Sequence, residues 1–165
     1  MSNPTYITGD ILTPNTSSEE VVVCHQVNCR GVMGAGLAKQ VRQMYPDAYS
    51  AYKEKCDEIK RGQGGLGDVQ FCYFLRSRYI IANIFGQDNY GRGRDRYGKK
   101  TRYTDYAALR RAFAHIAQVY PNDTIRIPYH MGCGLGGGEW TIVLQIIDEA
   151  LVSNNVHVEI WKHPG

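Results

Sequence analysis

The sequence predicts an α/β fold in which helices cover both faces of a mixed sheet. Three observations predict it. Six short extended runs alternate with longer stretches whose apolar residues recur at helical spacing. One run, Val21-Val22-Val23-Cys24-His25-Gln26-Val27, is nearly continuous in β-branched residues, as a strand buried on both faces requires. Two glycine-rich loops, Gly31 to Gly36 and Gly132 to Gly138, each leave a strand and open a helix.

Taken in order, Thr5-Tyr6-Ile7 is a short strand ending at Gly9-Asp10, and the run 21–27 is the second. Leu37, Ala38, Val41, Met44 and Tyr45 then mark a helix that Pro46 ends or kinks. A second helix, 47–61, carries Tyr49, Tyr52, Cys56 and Ile59 on one stripe. After the connector Gly62 to Gly67, Val69 to Leu75 and Tyr79 to Phe85 form a hairpin across Arg76-Ser77-Arg78. Thr104 is the expected N-cap of a helix running to Tyr120, with Leu109, Ala112, Phe113 and Ile116 inward. Thr124 to Pro128 is a strand leading into the second glycine loop. Glu139 to Val152 is a helix with Ile142, Val143, Ile146, Ile147 and Ala150 inward, and Val156 to Trp161 is the last strand.

A length of 165 residues fits one domain, 1–165. With 43% hydrophobic and 21% charged residues the chain is not of the disordered class. No apolar run approaches the roughly 18 residues of a membrane span, and Met1-Ser2-Asn3-Pro4-Thr5 lacks the pattern of a signal peptide. The five cysteines, 24, 29, 56, 72 and 133, include no C-x-x-C pair, so neither a disulfide framework nor a metal site is expected. The expectation is a cytoplasmic monomer without cofactor, metal or membrane partner. Charge is uneven. Residues 92–102 hold six of the 19 Lys and Arg against one of the 16 Asp and Glu. That loop interleaves its cations with Tyr97 and Tyr103, a composition suited either to solvated surface charge or to nucleic-acid contact.

Glycine lets backbone N–H groups approach a ligand, and a helix N-terminus adds unpaired donors, so each glycine loop reads as an anion cradle. Two cradles at equivalent strand ends suit a diphosphate; the alternative is that the glycines only make tight turns. Gly31-Val32-Met33-Gly34-Ala35-Gly36 is the wrong order for a dinucleotide fingerprint, and neither loop ends as a P-loop does.

Three stretches together resemble the macrodomain family. They are Gly9-Asp10-Ile11, then Val27-Asn28-Cys29-Arg30-Gly31-Val32-Met33-Gly34-Ala35-Gly36-Leu37-Ala38, then Ile127-Pro128-Tyr129-His130-Met131-Gly132-Cys133-Gly134-Leu135-Gly136-Gly137-Gly138-Glu139-Trp140. The motif order is similar to the branch with the terminal ADP-ribose protein glycohydrolase and the DNA-acting antitoxin glycohydrolases. The His25-x-x-Asn28-Cys29 run is also similar to that of the yeast ADP-ribose-1''-phosphate phosphatase. The resemblance implies a three-layer α/β/α domain around a mostly parallel six-stranded sheet, binding ADP-ribose. It implies that Asp10 and Ile11 contact the adenine and that Asn28 contacts the distal ribose. Gly34, Ala35, Gly36 and Leu37 would line the distal ribose and diphosphate, with Gly132, Cys133, Gly134, Leu135 and Gly136 around the diphosphate.

The implied activity is hydrolysis of a distal-ribose derivative, namely ADP-ribose 1''-phosphate, O-acyl-ADP-ribose or an ADP-ribosyl ester on protein or nucleic acid. A non-catalytic ADP-ribose reader is the rival. The branch's lysine and aspartate fall at Gln87, with Asp88 one residue away, and at Gly136. His25 remains as the acid/base residue, with Asn28 beside it; the alternative is a core histidine. His130 is a weaker acid/base choice, or an exposed wall residue. Cys133, between two glycines near a helix N-terminus, offers a cysteine hydrolase as the different-class alternative.

Overall fold

β2 (Val21–Asn28) is the strand on which the sheet is assembled, because Val22, Val23 and Cys24 on its two faces are fully buried. On one side it pairs in parallel with β4 (Tyr79–Gln87), and on the other with β5 (Thr124–Pro128). β6 (His157–Lys162) adds to β5 in parallel, and β1 (Thr5–Thr8) to β6. β3 (Val69–Phe74) returns antiparallel along β4. The six-stranded order is β1-β6-β5-β2-β4-β3. The sheet is therefore mixed and mostly parallel, as expected. This computed structural model describes residues 3–74, 78–91, 96–99 and 101–165. The Arg76-Ser77 part of the hairpin connector and Arg92, Arg94 and Lys100 of the basic loop lie outside the described residues.

One face of the sheet is covered by α3 (Tyr106–Val119) and α4 (Trp140–Ala150). Leu109, Ala112, Phe113 and Ile116 of α3 and Val143, Ile146 and Ile147 of α4 close over Val22, Cys24, Ile80, Ala82, Ile125 and Ile127. The other face is covered by α1 (Gly36–Met44) and α2 (Pro46–Lys60). Leu37, Val41 and Ala48 meet Val21, Val23, Tyr79 and Ile81, while Tyr52 and Cys56 meet Val27 and Phe85. The two periodicities in the sequence, two and 3.6, select these two faces.

Several expected boundaries shift. Met44 falls off the apolar stripe of α1 and is 54% exposed, while Tyr45 turns in against Phe74 and Tyr79. Thr104 does not cap α3. The Asp105 carboxylate accepts from the Ala108 N–H instead, since a carboxylate satisfies a helix N-terminus at least as well as a hydroxyl. The Thr104 side chain is thereby free for another role. α4 stops at Ala150, and a short 3₁₀ turn, Val152–Asn154, delays β6 to His157.

Candidate functional site

Five of the six strands run the same way, so the ends of β1, β2, β4, β5 and β6 reach one edge of the sheet. Ligands of open α/β sheets bind beyond that edge. Three cavities of about 300, 340 and 370 Å³ lie there and share walls. The first holds Gly9, Asp10, Ile11 and Trp161. The second holds Gln26, Asn28, Gln87 and Tyr90. The third joins them through Gly36, Leu37, Tyr129 and Gly136. The result is one cleft between the two glycine loops.

At the first end, the Asp10 side chain is partly committed to its own turn. Its Oδ1 accepts from the Leu12 N–H at 2.9 Å, and its backbone carbonyl accepts from the Thr13 N–H and Oγ1. This is the local turn chemistry expected of an aspartate; it commits Oδ1 and not Oδ2, and Asp10 lines the first cavity. Ile11 is buried beside it.

At the other end, Asn28 is 7% exposed. Its Oδ1 accepts from the Arg30 N–H, the Val32 N–H and the Tyr52 hydroxyl, at 3.0, 3.4 and 2.8 Å. Its Nδ2 donates one hydrogen to the Val32 carbonyl at 2.8 Å. The amide therefore folds the first glycine loop back on itself, and one N–H is left for a ligand acceptor. Gly36 starts α1 with φ +58°, and open space surrounds the direction a side chain would take. Gly34, Ala35 and Leu37 line the cleft with it.

The second loop turns Gly132, Gly134, Leu135 and Gly136 toward the cleft. Cys133 does not line any of the three cavities. Its thiol donates to the Met131 carbonyl at 3.4 Å and packs on the core. α4 begins only at Trp140, so Cys133 is not at a helix N-terminus. The helix-N-terminus premise of the cysteine-hydrolase alternative therefore fails, and the Cys133 thiol packs on the core. His130 takes φ +63°, stacks on Tyr129 at 3.8 Å and is exposed in the wall of the cleft.

His25 is 2% exposed. β2 stays regular through Val27, and the register slips only at Asn28, which pairs with Gln87. His25 Nε2 meets Asn83 Oδ1 at 2.5 Å, and Asn83 Nδ2 in turn donates to Gln70 Oε1 at 3.0 Å. This chain places the imidazole proton on Nε2 and leaves Nδ1 a lone pair without a hydrogen-bond partner. Burial pushes the pKa down to about 4, against the opposing hydrogen bond to Asn83. The ring is neutral near pH 7 and, although almost fully buried, is one of the residues lining the third cavity.

No protein-family model matches the chain. An ADP-ribose 1''-phosphate phosphatase of Meyerozyma guilliermondii is 25% identical over 178 residues, covering 96% of this chain and 99% of that protein. A DNA ADP-ribosyl glycohydrolase of Thermus aquaticus is 32% identical over 141 residues, covering 83% of this chain but only 35% of that protein. The macrodomain of Mycobacterium tuberculosis DarG superposes with a TM-score of 0.73 at 25% identity, over 98% of both chains. The chain has the macrodomain fold. This agrees with the motif order at all three strand ends.

Two positions set this macrodomain apart from the branch pattern. Gln87 lines the distal cavity where a lysine was to be expected. Asp88 does not line it; its carboxylate pairs with Arg30 at 2.8 Å, both half exposed. Gly136 stands where an aspartate was to be expected, and the packing explains why. A Cβ there would meet Thr104 Oγ1 at 2.5 Å and the Gly132 carbonyl at 2.8 Å. Thr104 Oγ1 donates to the Gly132 carbonyl at 2.7 Å and accepts from Gln26 Nε2 at 2.8 Å. The Thr104 and Tyr103 N–H groups both donate to the Gly136 carbonyl. Gln26 Nε2 also bonds Gln87 Oε1 at 2.7 Å.

This Gln26–Thr104–Gln87 strap beneath the second glycine loop was missed in the sequence. Its only signal was a glutamine interrupting the apolar run of β2, and Thr104 was taken up by the helix-cap reading.

Proposed function

We propose that this macrodomain binds ADP-ribose along the cleft and hydrolyses derivatives substituted on the distal ribose. One observation carries the reading. An aspartate with a free carboxylate oxygen stands at one end, an amide-lined cavity at the other, and two glycine loops face each other between them. A base, a diphosphate and a second ribose fit that order of chemistry. Asp10 and the Ile11 backbone take the adenine amine and ring edge. Gly34, Ala35, Gly36 and Leu37 face Gly132, Gly134, Leu135 and Gly136 across the diphosphate. The remaining Asn28 N–H donates to a distal-ribose oxygen. The relatives named for ADP-ribose 1''-phosphate and for ADP-ribosylated DNA support this ligand class.

The hydrolysed group is a phosphoryl or acyl substituent, which water takes up while the ribose hydroxyl is restored. His25 supplies the proton acceptor in this reading, because its ring lines the third cavity and its Nδ1 keeps a lone pair without a hydrogen-bond partner. Tyr90 and Gly91, which line the distal cavity, lead directly into the basic stretch 92–102, so a nucleic-acid-linked ADP-ribose suits the protein. The protein is proposed to act as a cytoplasmic, metal-independent monomer formed by residues 1–165.

A pure reader is favoured by one specific observation. The distal cavity is lined by the amides of Gln26, Asn28 and Gln87, and Tyr90 is its one ionisable residue among those described. Product detection with ADP-ribose 1''-phosphate, O-acyl-ADP-ribose and an ADP-ribosyl ester separates the two. Turnover of at least one supports the hydrolase, and His25→Ala should slow it by roughly 10²–10⁴-fold per folded molecule. Turnover of none leaves the reader.

A further inference from the structure

Arg126 is a buried cation that the roles above do not use. It sits on β5 between the buried Ile125 and Ile127, and is 7% exposed. Placing a guanidinium inside a fold is costly unless its donors are answered, and a hydrophobic residue of similar size would fill the space at lower cost. Its contacts all lead to one end of the cleft. Nη1 donates to the Ile11 carbonyl at 3.0 Å and to the Thr13 carbonyl at 2.7 Å. The guanidinium lies over the Trp161 indole, 4.5 Å from the ring centroid. Nε makes no hydrogen bond but stands at ion-pair distance, 3.6 Å, from Glu159 Oε1, and the same oxygen accepts from Trp161 Nε1 at 3.1 Å. Trp161 in turn limits the turn from the other side, since a Cβ on Gly9 would come within 3.1 Å of its ring.

We infer that Arg126 is a positioning residue for base recognition, holding the Asp10–Thr13 turn and the Trp161 ring in one arrangement that meets a 6-amino purine. The inference rests on the ADP-ribose reading and extends it to how the base is chosen. Arg126 fixes the carbonyls on either side of Leu12, and the Leu12 N–H fixes one Asp10 carboxylate oxygen, so the turn restricts how Asp10 presents its second oxygen. That oxygen accepts from an exocyclic amine and repels an exocyclic carbonyl. Glu159 ties the indole and the guanidinium together, so the two walls of the base cavity move as a unit. Lysine has neither the planar face nor the fork to make these contacts at once.

The test compares AMP with IMP, which differ at the exocyclic group, by calorimetry on the wild type and on Arg126→Lys. The wild type should favour AMP by roughly tenfold or more, as a charged hydrogen bond in a shielded site allows. Arg126→Lys should reduce that ratio several-fold while affinity for ribose 5-phosphate stays unchanged. A folded Arg126→Lys protein that keeps the full ratio would overturn the inference. So would a wild type that binds both nucleotides equally, although tight ADP-ribose binding would then leave the ligand reading standing. If Arg126→Lys does not fold, the Trp140→Phe variant decides, because it leaves Trp161 as the sole tryptophan. AMP should change its emission and ribose 5-phosphate should not. Emission unmoved at saturating AMP would place the base elsewhere.

Discussion

Burial of the His25 imidazole ties stability to pH at the level of a single residue. In the unfolded chain the ring titrates near 6.5, and in the fold near 4. Between those values the unfolded state binds a proton that the folded state refuses, so stability falls as pH falls through this window. At about 1.4 kcal/mol per unit, the whole window is worth about 3–4 kcal/mol. Urea unfolding at pH 7 and pH 4.5 should show most of this loss in the wild type and little of it in His25→Gln. Equal pH slopes in the two proteins would mean that His25 is not the buried neutral group described here. The sequence placed His25 on a buried strand but did not show its partner. Asn83 is 58 positions away and meets it only because β2 and β4 pair in register. Asn28 had the same ambiguity. Its donors, Arg30 and Val32, are local and legible, whereas the Tyr52 hydroxyl arrives from α2.

Among the elements, the second glycine loop depends on the strap under it. Gly136 and Gly132 leave room for Thr104 Oγ1 and Gln26, and that close approach fixes the loop's backbone. Gly136→Ala should therefore overpack the strap at a cost of about 1–3 kcal/mol. Calorimetric Tm should drop by several degrees, at about 2–4 °C per kcal/mol for a chain this long. An unchanged Tm would show that the loop has slack the structure does not display. The glycines announced this loop in the sequence because backbone approach leaves a compositional trace. Thr104 left none, since a threonine ahead of a helix reads equally well as a cap. Asp105 took the cap and released the threonine for the loop. Cys133 was misplaced for a related reason. Sequence position put it between glycines, whereas in the fold its thiol donates to the Met131 carbonyl and packs on the core.

Across the whole molecule, the cleft exists because five parallel strands deliver their following loops to one edge. That much was legible from periodicity, because each strand–helix boundary carries glycine, proline or a capping residue. The strand order was not, since pairing across the sheet depends on contacts far apart in sequence. The parallel edge separates the base end, at Asp10 and Trp161, from the amide-lined end, at Asn28 and Gln87, with the glycine loops between. The central claim is that a single ligand spans all three. Titration calorimetry of ADP-ribose against AMP tests it most directly. ADP-ribose should bind at one site per chain and at least roughly tenfold more tightly than AMP, the factor that about 1.4 kcal/mol from the distal ribose and second phosphate provides. Equal affinity for the two would contradict it.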